Sequence, residues 1–265
     1  MKYYSFYFLC FIISLAILFP LFFDYDPYFI DLSQSFSTPS WLHPFGLDED
    51  GKGLFTQIIY GLKMSLGITF SVIFLSFIMG LVLGTLAGYL ESWTETIIMS
   101  FVDLVLAFPK FLMALALVAM LGSSVFHLIF ALTFSTWAGF ARLTRAELKH
   151  LKKKEFVLQA RALGASPFSL VFKHLWPNLM NVLCIHAVFQ AVAVLIAESG
   201  LSFLGLGVSL ENPSLGSLLG QGRNYIFSAP HIIFFPSLVL FLFLLCLNNV
   251  GESLRYYLDP HKVEN

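Results

Sequence analysis

Six stretches of this sequence stay apolar for about twenty residues at a time, and no other feature limits its fold so tightly. They run Phe6–Phe23, Met64–Leu90, Thr96–Leu121, Val125–Ala141, Leu179–Ala197 and Ile232–Val250. A helix rising about 1.5 Å per residue needs about 20 residues to cross a hydrocarbon core roughly 30 Å thick. Within that core each peptide group must find its partner inside the protein, as a helix allows. The expectation is an all-α polytopic membrane protein with six transmembrane helices. The chain is 58% hydrophobic and 12% charged, against about 45–50% and about 25% in soluble domains, which excludes a soluble enzyme. The first run exceeds the roughly 7–15 residues of a signal-peptide core and "LFFDYDP" offers no A-x-A site, so it reads as an uncleaved helix.

Charge fixes orientation, because cytoplasmic loops hold the excess of Lys and Arg. The connection after the fourth run carries Arg142, Arg145, Lys149, Lys152, Lys153, Lys154, Arg161 and Lys173, whereas Asp24–Lys63 holds Asp24, Asp26, Asp31, Asp48, Glu49 and Asp50. Both termini are therefore expected in the cytoplasm, with Asp24–Lys63 and Gly200–Pro230 outside and Arg142–Asn178 inside. The domain division follows: residues 1–60 form a first helix and an outer segment, 61–252 the membrane domain with a basic loop at about 142–178, and 253–265 a cytoplasmic tail. Cys10, Cys184 and Cys246 each sit in an apolar run with no C-x-x-C pair, and read as hydrophobes. Gly80, Gly84 and Gly88 recur every four residues, placing three glycines on one helix face where another backbone can approach, in this chain or a partner.

Several motifs fail on inspection. "GLDEDGKG", Gly46–Gly53, nearly spells a phosphate loop, but Gly53 replaces the magnesium-binding hydroxyl, three carboxylates would repel phosphate, and no apolar strand precedes it. Gly51 comes too early for an EF-hand, so Asp48 and Asp50 read as a solvated turn. The seven histidines show no H-x-x-x-H spacing for zinc. No catalytic arrangement can be argued from spacing, and no cofactor or metal is expected on this chain.

Asp103 and Lys110 lie inside the third run, where a mid-bilayer charge costs about 2.5–3.5 kcal/mol on insertion scales and so should face protein or water. Seven residues apart, they would share one helix face two turns apart, with Pro109 kinking the helix between them. They and Glu198, at the outer end of the fifth run, either line a polar translocation path or pair with neighbouring helices.

The basic segment is patterned as a small folded unit. Phe156, Val157, Ala160 and Leu163 recur at helical spacing over Lys153–Leu163; Gly164 can end that helix, Ser166 can cap the next, and Pro167 suits its first position. A second short helix from Pro167 to about Trp176 would stop at Pro177. This two-helix hook, with Ala160, Gly164 and Ala165 leaving its corner free of bulk, is suited to docking; the alternative is a basic loop that only sets topology.

"EFVLQARALGASPFSLVFKHLWPN" resembles the EAA motif of ABC importer permeases. "HPFGLDEDGKGLFTQIIYGLKMSLGI", "VDLVLAFP", "ESGLSFLGLGVSLENPSLGSLL" and "NNVGESLRYYLDP" are similar, in the same order, to further blocks of the dipeptide, oligopeptide and nickel permeases, of the C type, covering Trp41 to Pro260. The resemblance implies a type I importer (MetI-like) fold whose hook is a coupling helix seated in an ATPase cleft. It implies one of two permease subunits in the bacterial cytoplasmic membrane, working with a related B-type permease, two ATPase subunits that carry ATP and Mg, and an extracytoplasmic solute-binding protein, with no nucleic-acid partner. Carried over by position, Glu155, Ala160, Arg161, Gly164, Ala165, Pro177 and Asn178 form the coupling interface. The chain departs from the family at Gly46-Leu47-Asp48 and Gly51-Lys52-Gly53, at Gln159, and at the missing Arg ahead of Asp103, where Ser100 stands. A proton-coupled transporter using Asp103 and Glu198, or a membrane scaffold recruiting a partner through the hook, are the competing readings.

Overall fold

The structure is a computed structural model that describes residues 30–90, 92–207 and 213–258, with positions 7, 10, 14–16, 18 and 19. The described positions of the expected first span are helical, and the rest of Phe6–Phe23 lies outside the described residues. Helix α1 covers Leu54–Leu90, so the division expected at residue 60 falls inside it. It is followed by α2 (Trp93–Ala107), α3 (Lys110–Leu121), α4 (Val125–Leu151), α5 (Glu155–Ala162), α6 (Pro167–Phe203), α7 (Leu215–Gly222) and α8 (His231–Leu258). Among the described residues α1, α4, α6 and α8 are long and apolar enough to cross a membrane, and α2 with α3 makes a fifth span if counted as one.

Helix α1 shows how sequence becomes packing. Gly80, Gly84 and Gly88 lie against α4 at Phe140–Leu148, while Phe70, Phe74, Ile78, Val82 and Leu86, also every fourth residue, remain exposed on another face. One stripe admits a backbone and the other presents hydrocarbon, as a lipid-facing helix requires. The largest helix pair in the fold is α1 with α4. Beside it, Val102 and Val105 of α2 pack on Trp137, Ala138 and Ala141 of α4, and α3 fills a second cluster through Ala114 and Val118 with Val72, Leu128 and Leu132.

Three expectations are corrected here. The third apolar run is two helices meeting at 88°. Proline disfavours α geometry in the preceding residue, so Phe108 takes φ −94°, ψ 142° and the helix stops instead of kinking. Asp103 and Lys110 therefore stand on different helices and share no face. The fourth helix does not end at Ala141 but runs to Leu151, so Arg142, Arg145 and Lys149 are helical residues. Pro177 does not end a helix: α6 continues through it by a π turn at Leu170–Leu175, in which the Trp176 N–H donates to Val171 O. The wider turn makes room for a ring that would clash with the carbonyl four residues back. At the other end, α8 continues past Val250 to Leu258, while 259–265 of the expected tail lie outside the described residues.

The segment before α1 is tied to Tyr225 and to the first turns of α8. Asp48, expected in a solvated turn, is 7% exposed; it accepts from Asp50 N at 2.9 Å, Lys52 N at 2.8 Å and Gln57 Nε2 at 2.5 Å. Burial pushes its carboxyl above the usual range, and these bonds partly offset that. Gly46 and Gly51 sit at φ +79° and +74°, conformations that glycine adopts freely. Tyr225 donates to Glu49, His231 Nε2 lies 3.1 Å from Leu47 O, and the Phe45 and Phe235 rings stack at 4.3 Å.

Candidate functional site

The hook exists, with its first helix at Glu155–Ala162. Gly164 turns the chain at φ +85°, the Ser166 hydroxyl accepts from Ser169 N at 3.3 Å, and Pro167 opens α6. It is seated on the bundle: Val157, Leu170 and Leu175 are buried with Leu81, Phe140 and Leu148, and Ala160 and Ala165 pack against the same cluster. The two alanines are partly buried, and their small side chains let the hook lie close to its own bundle, while Gly164 between them is exposed. Trp176 Nε1 donates to Thr85 Oγ1 of α1 at 3.1 Å, so the hook, continuous with α6, is also bonded to α1.

The exposed face of the hook consists of Phe156, Leu158, Leu163, Phe168 and Phe172 with Glu155, Arg161, Gly164, Pro177 and Asn178. Leu163 is 88% exposed and Phe168 74%, and the Phe168 and Phe172 rings stack at 4.6 Å. Exposed apolar side chains flanked by polar ones make this face a candidate interaction surface. Phe156 and Leu163 were read only as the apolar stripe of the first helix, and Phe168 and Phe172 were missed by reading the hook for its small residues; the signal for those two was an aromatic recurring at 168, 172 and 176, a helical spacing. Asn178 Nδ2 donates to His174 O at 2.6 Å beside the proline.

The three ionisable residues expected in the membrane do not converge. Asp103 accepts an ion pair from Arg142 of α4, and above it Glu95 takes Arg145 and Lys149, the latter at 2.5 Å. Together these join α2 to α4 by a ladder of charge. Glu95 went unnoticed in the sequence because it stood just outside an apolar run. Both partners of the Asp103 pair are more than half exposed on the surface of this chain, and such a pair contributes about 0–1 kcal/mol where it faces water. We expect Asp103→Asn and Arg142→Gln each to reduce membrane level slightly, and the double variant to lose less than the two losses combined; strict additivity in quantitative immunoblots would show the pair to be idle.

Glu198 is fully buried. It accepts from Ser202 Oγ at 2.9 Å, Ser65 Oγ at 3.0 Å and Ser199 Oγ at 3.4 Å, with the Ser214 hydroxyl as a further donor. Ser65 Oγ in turn accepts from Leu215 N at 3.3 Å, and Ser214 and Ser217 cap α7 with a capping box. One carboxylate thus gathers α1, α6 and the start of α7 at a single point. Lys110 lines a cavity of 260 Å³ between α3, α4 and α6. Among the described residues no group of His, Cys, Asp and Glu could hold a metal ion.

Residues 80–263 match the family described as the binding-protein-dependent transport system inner membrane component. The chain belongs to that family. This permease is 35% identical over 239 residues to the glutathione transport system permease protein GsiD of Pectobacterium atrosepticum, covering 90% of this chain and 77% of that one. It is also 35% identical over 228 residues to the dipeptide transport system permease protein DppC of Alkalihalophilus pseudofirmus, covering 86% and 75%. In fold it is similar to a chain of the inward-facing MetNI methionine ABC transporter, with a TM-score of 0.63 at 18% identity over 77% of this chain and 97% of that one. A chain of an amino acid ABC transporter gives 0.60 at 14% identity over 77% and 94%. The permease is therefore a multi-pass inner-membrane subunit of an ABC importer, a family whose members work with an ATPase and a substrate-binding protein. The secondary-transporter reading finds no support among these relatives; in the structure Asp103 is held by Arg142 and Glu198 by hydroxyls.

Proposed function

We propose that this chain is the C-type half of a peptide-class importer, paired in the membrane with a B-type permease and two ATPase subunits, with six spans and both termini cytoplasmic. Glutathione or short peptides are the substrate class that the relatives at 35% identity support. ATP and its Mg stay on the ATPase subunits, and this chain supplies no catalytic group. The observation that carries the reading is the hook: it is seated by Val157, Leu170 and Leu175, and it exposes Leu163 and Phe168. Closure of the ATPase pair displaces that exposed face, and Trp176, bonded to Thr85, passes the movement to α1 and α6. Gly80, Gly84 and Gly88 keep α1 and α4 moving as one unit while α6 transmits the push.

The test is uptake into proteoliposomes holding the permease pair, the ATPase subunits and the binding protein. Labelled dialanine or glutathione should accumulate only with ATP. Gly164→Trp places bulk on the exposed corner in a backbone conformation that L side chains avoid, and should abolish both transport and copurification of the ATPase. Gly164→Asn, which tolerates that conformation, should retain them. Normal transport by the tryptophan variant would remove the hook from the docking surface.

A further inference from the structure

Lys110 stands at the 88° break, as the first residue of α3. Its Nζ donates to Gln190 Oε1 of α6 at 3.3 Å. A Cβ built on Gly139 of α4 would lie 3.9 Å from Lys110 Nζ and 3.7 Å from His186 Nε2, so the glycine leaves a gap that both nitrogens border. His186 Nε2 is buried and has no hydrogen-bond partner. Ser135 and Thr136 of α4 line the adjoining cavity with Gln190, and the rest of its wall is apolar.

The charge balance is one-sided. The ion pairs among the described residues take up Lys52, Arg142, Arg145 and Lys149; Lys110 is in none, and no acid lines the cavity. An ammonium held among apolar helices is costly without a counter-charge. Because Gln190 accepts through Oε1, its Nε2 remains a donor, and the Lys110 ammonium and Thr136 hydroxyl add to the set. A cluster rich in donors around one cation fits a group that only accepts: a carboxylate.

We propose that Lys110, with Gln190 and Thr136, binds the carboxylate of the transported solute as it passes between α3, α4 and α6. This rests on the peptide reading above, since free peptides and glutathione carry such a group. Pro109 matters to the site because the break it makes delivers Lys110 to α6, whereas an unbroken helix would carry it elsewhere along the bundle axis.

The test is a lysine footprint on the intact complex in nanodiscs. Acetylation by N-hydroxysuccinimidyl acetate is read at Lys110 by mass spectrometry, with Lys173 of the hook as internal control. Dialanine and acetate should each slow labelling of Lys110 by about tenfold, the scale of one charge-assisted hydrogen bond, and leave Lys173 unchanged. Dialanine amide and acetamide should not slow it. In uptake, Lys110→Arg should retain transport of dialanine and Lys110→Gln should lower it about tenfold with the ATPase still copurifying. If dialanine and glutathione are not transported by the unaltered complex while acetate still shields Lys110, the peptide reading fails and the site stands. If Lys110 is labelled equally with and without every carboxylate, or is shielded before any is added, the site is overturned and its counter-charge belongs to the second permease.

Discussion

Gly84→Leu should remove the folded permease from the membrane, because there is no space between α1 and α4 for any side chain at that position. A single Cβ on Gly84 would already lie 2.6 Å from Ala141 O and 2.6 Å from Thr144 Cβ. Gly80 is similar, with Ala141 N at 2.8 Å from its Cβ. Two of these three obstacles are backbone atoms of a helix, which cannot rotate away as a side chain tip can. Overpacking a core costs about 1–3 kcal/mol where neighbours can shift, and Gly84→Ala belongs at the upper end of that range. Leucine adds three more carbons and must separate the two helices. Gly88 supplies the internal comparison: its Cβ would meet Arg145 O at 3.1 Å and the flexible Leu148 side chain at 3.3 Å. Arg145 Cα, also backbone, lies at 3.3 Å; because these contacts are all longer than the 2.6 Å ones at Gly84, Gly88→Ala should cost less than Gly84→Ala, about 1 kcal/mol at the lower end of that range. The measurement is the thermal midpoint of the detergent-solubilised complex, followed through the ATPase subunit that remains bound. A Gly84→Ala midpoint equal to that of the unaltered complex would mean that α1 and α4 do not approach as closely as these distances say.

The glycine stripe was legible because a period of four is a property of one helix and needs no partner to be seen. The same holds for the hook's caps: Gly164, Ser166 and Pro167 act on their nearest neighbours in sequence, and each occupies the role its chemistry dictates. What could not be read depended on groups far apart in the chain. Pro177 is a helix breaker by local rules, yet the packing of Leu170, Leu175 and Leu179 on Phe140 and Leu148 holds the segment helical and a π turn takes up the ring. Arg142, Arg145 and Lys149 were read as loop because charge usually ends a span; the acids that admit them into a helix, Asp103 and Glu95, lie about forty to fifty residues earlier. Asp48 looked solvated because its partner Gln57 sits nine residues on, in the first turn of the next helix. The membrane charges divide the same way. Lys110 could be marked as costly from sequence, but that Pro109 would turn it toward Gln190 and His186 required the angle between α2 and α3.

Glu198→Ala should loosen the outer side of the permease, and Glu198→Gln should leave it nearly intact. Four serines from positions 65, 199, 202 and 214 surround the carboxylate, and a serine taken singly in a sequence signals nothing. Together they turn an ionisable group into a clasp: α6 brings Glu198, Ser199 and Ser202, α1 brings Ser65, and Ser65 holds Leu215 N at the start of α7. Truncation to alanine leaves three or more buried hydroxyls without their acceptor and opens a void. Leaving a buried hydrogen-bonding group unsatisfied costs about 1–3 kcal/mol, and the loss is felt most at the short helix α7, whose own eight residues cannot hold it. Glutamine keeps the shape and one acceptor oxygen, and each serine hydroxyl can rotate from donor to acceptor to meet the amide hydrogens. Amide exchange over residues 214–222 reads the clasp directly: exchange should accelerate at least tenfold in the alanine variant, the scale of a bond to a charged group, and change little in the glutamine variant. Transport by Glu198→Gln at normal rates accompanies this, because a clasp needs an acceptor and a proton relay needs an acid. Loss of transport in the glutamine variant with unchanged exchange would reverse the assignment and return Glu198 to the chemistry of proton movement.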